Sequence, residues 1–210
     1  MNQPSAVVPR LFSTPRTNYI FIDYENVYER DLSRIEGRSA VVHLVLGARQ
    51  PDPPEQLHKQ IHQLAEKAEL IRTPIAGITK NALDFVLACE VGMRAAKDPA
   101  GYFHIISKDK GFDVVIKHLR KKKILAARRD ALSEVPALMS TEERFDRLSL
   151  HLANPAKTRP DTRSSLASMI QKLFDHGLTE EVVGKTIRLL INQKILTVSK
   201  TEDVTYPSLT

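Results

Sequence analysis

The chain has 210 residues, 42% of them apolar and 27% charged, with a formal charge of +6. That is the composition of a soluble globular protein with room for one ordinary domain and a smaller one. A lone cysteine, Cys89, excludes an internal disulfide framework or thiolate zinc site, no apolar run approaches the roughly 20 residues of a membrane span, and the first residues lack the pattern of a secretory signal, so a reducing cytoplasmic location is expected.

Residues 1–17 contain three prolines and no apolar period and are expected to be disordered or extended. From Asn18 the texture alternates. Tyr19–Ile22 reads as a buried strand ending at Asp23, with Glu25 and Asn26 behind it. Ala40–Leu46 (AVVHLVL) reads as a second strand, stopped by Gly47. Glu55 to Ala68 has its apolar residues at helical spacing, and Glu69–Thr73 suits a short third strand closed by Pro74. Asn81 to Arg94 is predicted helical, with Leu83, Val86, Leu87 and Val91 inward, and Cys89 reads as a small core residue. Tyr102–Ser107, Phe112–Lys122 and Ile124–Ala127 follow as strand, helix and strand. Strands and helices joined by short connections predict an α/β fold, a parallel sheet covered on both faces over residues 18–132. In such sheets ligands sit outside the carboxyl ends of the strands.

Beyond Asp130 the pattern changes. Residues 133–160 are expected to be a linker with one helix, opened by a capping box at Ser140 and Glu143. Residues 161–210 read as a small winged-helix-like domain: an amphipathic helix at RSSLASMIQKLF, a second after the cap Thr179, and a two-stranded ribbon around Lys200–Asp203. No internal repeat or low-complexity tract is present.

Charge is unevenly placed. Residues 101–132 hold nine Lys or Arg against three acids, whereas residues 161–210 hold six of each sign. A positive cluster suits a polyanion such as nucleic acid; the run Arg120–Lys123 equally suits a solvated helix end. The neutral tail is expected to dock, self-associate or bind a protein partner, with RNA binding through Arg163, Lys172, Lys185, Arg188 and Lys194 left open.

Four carboxylates stand at strategic positions: Asp23, Asp84, Asp109 and Asp113. Each has a plain structural reading, as a turn residue, an N-cap or a first-turn acid. Gathered at one sheet edge, they would repel one another and call for a divalent cation, Mg²⁺ or Mn²⁺ by their hard oxygen ligands. One or two such ions polarise a phosphodiester and activate water. Asn26 and Ser107 would orient the acids or a phosphate, and Lys80, Lys108 and Lys110 would offset their charge or bind substrate. Glu90, about 240° around the helix from Asp84, reads as structural.

The segments FIDYENV, KNALDFVLACEVG and HIISKDKGFDVVIKHL, over about residues 18–130, resemble the PIN-like nucleases, in particular their NYN branch. The resemblance rests on Asp23 with Asn26, on Asp84 opening a helix with Glu90 six residues on, and on the Ser-x-Asp pair Ser107 and Asp109. It implies a Rossmann-like parallel sheet, a metal-dependent ribonuclease site of three or four acids, and RNA, rather than DNA, as the favoured substrate. Many members have a further Asp two residues after the last motif; Gly111 stands there, and Asp113 is the expected substitute. The competing reading is a non-catalytic module binding nucleic acid or protein. A small-molecule phosphohydrolase is less suited, because strand one ends in Asp-Tyr-Glu rather than Asp-x-Asp.

Overall fold

A computed structural model describes residues 16–64, 67–72 and 81–207; the predicted N-terminal segment up to residue 15, and Lys80, lie outside them. Five strands form one parallel sheet: β1 (Asn18–Asp23), β2 (Ala40–Leu46), β3 (Ala68–Arg72), β4 (Tyr102–Ile106) and β5 (Leu125–Arg129), in the order β3-β2-β1-β4-β5. The chain winds outward through β2 and β3, then returns to place β4 on the other side of β1. The carboxyl ends of β1 and β4 therefore flank the point where winding direction reverses, where a ligand crevice opens in this architecture.

The strands are apolar on both sides because both faces are covered. Side-chain alternation sends Ile20, Ile22, Val42 and Leu44 to one face, against Leu57 and Ile61 of α1 (Glu55–Leu64) and Leu132, Val135 and Leu138 beyond β5. Phe21, Val45, Phe103 and Ile105 pack on the other, against α2 (Ala82–Lys97) and α3 (Asp113–Lys121). On α2 the buried positions Leu83, Leu87, Val91 and Ala95 step by four. Cys89 stands two residues from Leu87, about 200° round, and is exposed. Its predicted core placement is corrected on that ground.

Ser140 opens α4 (Thr141–Ala153) with a complete capping box: the Glu143 N–H donates to Ser140 Oγ at 3.1 Å, and the Ser140 N–H donates to Glu143 Oε2 at 2.7 Å. This helix does more than link. Leu148 and Leu152 enter a third apolar cluster with Leu166 and Ile170 of α5 (Arg163–Leu173), Val183, Ile187 and Leu190 of α6 (Glu180–Asn192), and Val204 of an antiparallel ribbon, β6 (Thr197–Val198) with β7 (Val204–Thr205). Both oxygens of Glu143 also accept from Arg34, at 2.8 and 2.9 Å, tying α4 to the sheet region. Glu143→Ala removes the reciprocal half of the capping box and this pair together, leaves the Ser140 cap in place, and is expected to cost about 1–2 kcal/mol, read as a lower urea midpoint at unchanged slope. No helix among the described residues is long and apolar enough to cross a membrane.

Candidate active site

Asp23 ends β1 fully buried. Its Oδ2 accepts from Asn26 Nδ2 at 2.7 Å and from Ser107 Oγ at 2.8 Å, and its Oδ1 accepts from the Asn26 N–H at 3.3 Å. Ser107, the residue after β4, accepts in turn from the Asp109 N–H at 3.0 Å. One hydroxyl thus ties the ends of both central strands to the Asp109 turn. Asp109 fills its cap role as well, accepting from the Gly111 N–H at 2.7 Å, so the plain reading and the functional one coexist in the same residue.

Over this network lies a cavity of about 500 Å³, walled by Glu25, Asn26, Arg49, Asp84 and Asp109 among others. Asp23 stands behind this wall, under Asn26. Asp84, in the first turn of α2, is half-buried and makes no hydrogen bond or ion pair with the described residues. Its carboxyl is pushed above the usual carboxylate range, first by loss of water and then by the negative charges of Asp23, Asp109 and Glu25. Asp84 therefore lies within electrostatic reach of Asp23 and Asp109 at the edge of the sheet.

Glu25 is the participant that sequence reasoning passed over. A side chain on Gly47 would meet its Oε1 at once, 1.9 Å from the Cβ position, so glycine at the end of β2 leaves the space in which this carboxylate lies. The signal was available: Glu25 follows Asp23 by two, in the same turn.

Asp113 is not brought to the cluster. Its Oδ1 accepts from Arg128 Nε at 3.0 Å, and the same guanidinium donates to Asp130 and to the Ser107 carbonyl. A helical turn after Asp109 places Asp113 over β5, where Arg128 neutralises it. Asp113→Asn is accordingly expected to leave any nuclease rate unchanged and to lower stability by less than about 1 kcal/mol, the worth of a half-exposed pair. Lys108 and Lys110 are exposed beside Asp109. Arg129, one of the nine basic residues counted above, is buried and bound to Asp175 and His104, so the positive cluster is smaller than the sequence count.

Asn81 stands at the N-cap of α2 in left-handed conformation (φ +67°), and its side chain makes no cap hydrogen bond. The first N–H groups of α2 thus begin at the cavity wall without that side-chain partner, a place that favours an anionic group. Oxygen donors from Asp84, Asp109 and Glu25 around an otherwise uncompensated acid fit a hard divalent cation. No group of three or more His, Cys, Asp or Glu among the described residues is close enough to hold an ion by itself. Mg²⁺ commonly takes one or two carboxylates and completes its shell with water and substrate phosphate, so the donor set agrees with that mode and not with a closed protein cage.

Comparison with curated proteins gives no match. A family model described as PIN domain matches residues 17–129, more than half of the chain and all five strands of the parallel sheet. PIN domains are usually metal-dependent nucleases. With the sheet order, the acids at the switch point and this match in agreement, the chain belongs to the PIN domain family.

Proposed function

We propose that the protein is a Mg²⁺- or Mn²⁺-dependent endoribonuclease of the NYN branch, cytoplasmic, with a winged-helix-like C-terminal module that docks, self-associates or binds a partner. The observation that carries the reading is Asp84: a carboxylate at a cavity mouth, crowded by three other acids and without a basic partner among the described residues. A protein meets that unrelieved repulsion when a cation completes the site.

In this reading one or two of Asp84, Asp109 and Glu25 hold the ion, water and substrate phosphate complete its shell, and Asp23 acts on it through water. The bound ion would supply Lewis-acid polarisation of the phosphodiester and a more acidic water. The chain's own groups do the rest. Ser107 and Asn26 hold the Asp23 carboxylate in one orientation. The α2 N-terminus and Arg49, on the cavity wall, receive the non-bridging phosphate oxygens. Lys108 and Lys110 guide the polyanion. The domain division follows the same lines: a nuclease domain through residue 132, and a C-terminal body to which α4 contributes core.

The test is end-labelled single-stranded RNA incubated with the protein and Mn²⁺ or Mg²⁺, with EDTA as control. Internal cleavage that requires the metal supports the proposal. Among the described residues no three acids stand close enough to hold an ion by themselves, which favours a second reading, a module that binds RNA without cutting it. Stable complexes with intact RNA under every metal condition would decide for that one.

A further inference from the structure

A second cavity, of about 680 Å³, opens at the opposite end of the sheet. Its wall includes Asn18 and Tyr102, the first residues of β1 and β4, and Thr179 at the start of α6. The acids lie at the other ends of the same strands, so a strand length of five or six residues, roughly 17–20 Å, separates the two sites.

Three arginines stand on this wall. Arg16, Arg38, Arg144 and His176 line it, and among its described residues the one acid is Asp98, which accepts from the Tyr19 hydroxyl at 3.1 Å. Arg144 is only 8% exposed. Its two η nitrogens donate to the Met139 carbonyl and the Thr141 hydroxyl, while its buried Nε–H has no partner among the described residues. Burial and then the charge of Arg38 pull its pKa down, against the weaker opposing pull of Glu142 and Glu143, and both oxygens of Glu143 are engaged by Arg34. A guanidinium left buried, short of one hydrogen bond and beside another cation is costly unless an anion answers it. His176 reaches the same wall from a turn in which it and Asp175 both adopt left-handed backbone, φ +58° and +51°. That is an unfavourable pairing for residues other than glycine, and it persists where the surroundings or a function impose it. The α6 N-terminus, with Thr179 capping only the Val182 N–H, adds further donors and a favourable dipole.

We propose that this cavity is a binding site for the phosphate group of a small phosphorylated ligand of nucleotide size. Guanidinium forks match phosphate oxygens, and the volume lies within the 300–1,000 Å³ usual for small-molecule sites. The site is separate from the acid cavity and does not depend on the nuclease reading.

The full chain, in EDTA and at low salt, is titrated calorimetrically with inorganic phosphate and, separately, with AMP, GMP, CMP and UMP. Binding of at least one probe is expected, with Arg38→Gln and Arg16→Gln each weakening it about tenfold. Both residues are exposed, so these variants should fold normally, as circular dichroism would verify; Arg144→Gln serves as the third variant where it folds. Tighter binding of a nucleotide than of inorganic phosphate identifies an organic phosphate as the ligand; equal binding identifies free phosphate. Asp84→Asn should leave the affinity unchanged. No binding of any probe up to about 10 mM, an affinity too weak to matter, overturns the proposal. Affinity unaltered in both arginine variants, or lost in Asp84→Asn alone, does the same.

Discussion

Asp84→Asn is expected to abolish metal-dependent RNA cleavage while raising the melting temperature of the metal-free protein. The two effects have one origin. The Asp84 carboxylate stands partly desolvated among Asp23, Asp109 and Glu25, so its charge costs the folded state free energy that the unfolded chain does not bear. An amide of nearly the same shape removes that cost. After allowance for solvent at a half-buried site the gain is at most about 1 kcal/mol, or roughly 2–4 °C for a chain of this length. Catalysis moves the other way. A metal-held phosphodiester reaction draws several kcal/mol from the ion, and at about 1.4 kcal/mol per tenfold its loss lowers the rate by 10²- to 10³-fold or more. Mn²⁺ should therefore raise the melting temperature of the wild type and do so much less for the variant. Cleavage at the wild-type rate in Asp84→Asn would remove Asp84 from the mechanism. A lower melting temperature would mean that Asp84 holds structure instead of straining it.

The elements were legible because their causes are local. An apolar run ending in Asp23, a β-branched run ending at Gly47 and a capping box at Ser140 each declare themselves within a few residues; most bounds fall within about two residues of expectation, but the helix expected over Glu55–Ala68 ends at Leu64, with Ala68 opening β3 instead, and the helix expected to end at Arg94 runs on to Lys97. The alternation of strand and helix also declared the parallel sheet, and with it the edge that carries Asp23, Asp109 and, at the start of α2, Asp84. What failed was anything settled across the chain. Asp113 has the right spacing from Asp109, but Arg128 arrives from β5, fifteen residues later, and takes its carboxylate. Glu25 was overlooked because its place depends on Gly47, the residue that follows the neighbouring strand β2. The helix at 141–153 read as a link because its packing partners, on α5 and α6, lie beyond the Pro-containing stretch that suggested a hinge. Arg129 was counted with the positive cluster because its partner Asp175 is 46 residues away.

Stability is expected to fall steeply between about pH 6.5 and pH 5, well above the range in which most carboxylates titrate, and His104 should be the main cause. It is fully buried in β4, stacked on Tyr102 with ring centroids 4.1 Å apart. Its Nε2 lies 3.2 Å from Asn18 Oδ1 and its Nδ1 3.4 Å from Arg129 Nε. Arg129 can only donate, so Nδ1 accepts and Nε2 carries the single proton. A second proton would have to enter at Nδ1, facing a guanidinium, without water. Burial first, and then Arg129, hold the pKa well below the ordinary value. His43, stacked on Phe21 in β2, is shifted the same way by burial and Arg94, with Glu69 opposing. Because the pKa is lower in the folded chain, the unfolded chain binds the proton first as pH falls, and stability is lost from about 6.5 downward at up to about 1.4 kcal/mol per unit for His104. Asp84 works in the opposite sense, since its raised pKa lets the folded state take up a proton first and so relieves the acid crowding as pH drops. The carboxylates of Asp31 and Glu143, lowered by their hydrogen bonds, add their losses only near and below their own unfolded values, about 4. Urea unfolding at pH 7.5, 6.5 and 5.5 measures the slope. His104→Gln should cut it by about half or more, even where it lowers stability at pH 7.5, because glutamine takes no proton in this range. An unchanged slope in His104→Gln would transfer the acid sensitivity to His43, and a flat wild-type profile would mean that neither imidazole is kept neutral by the fold.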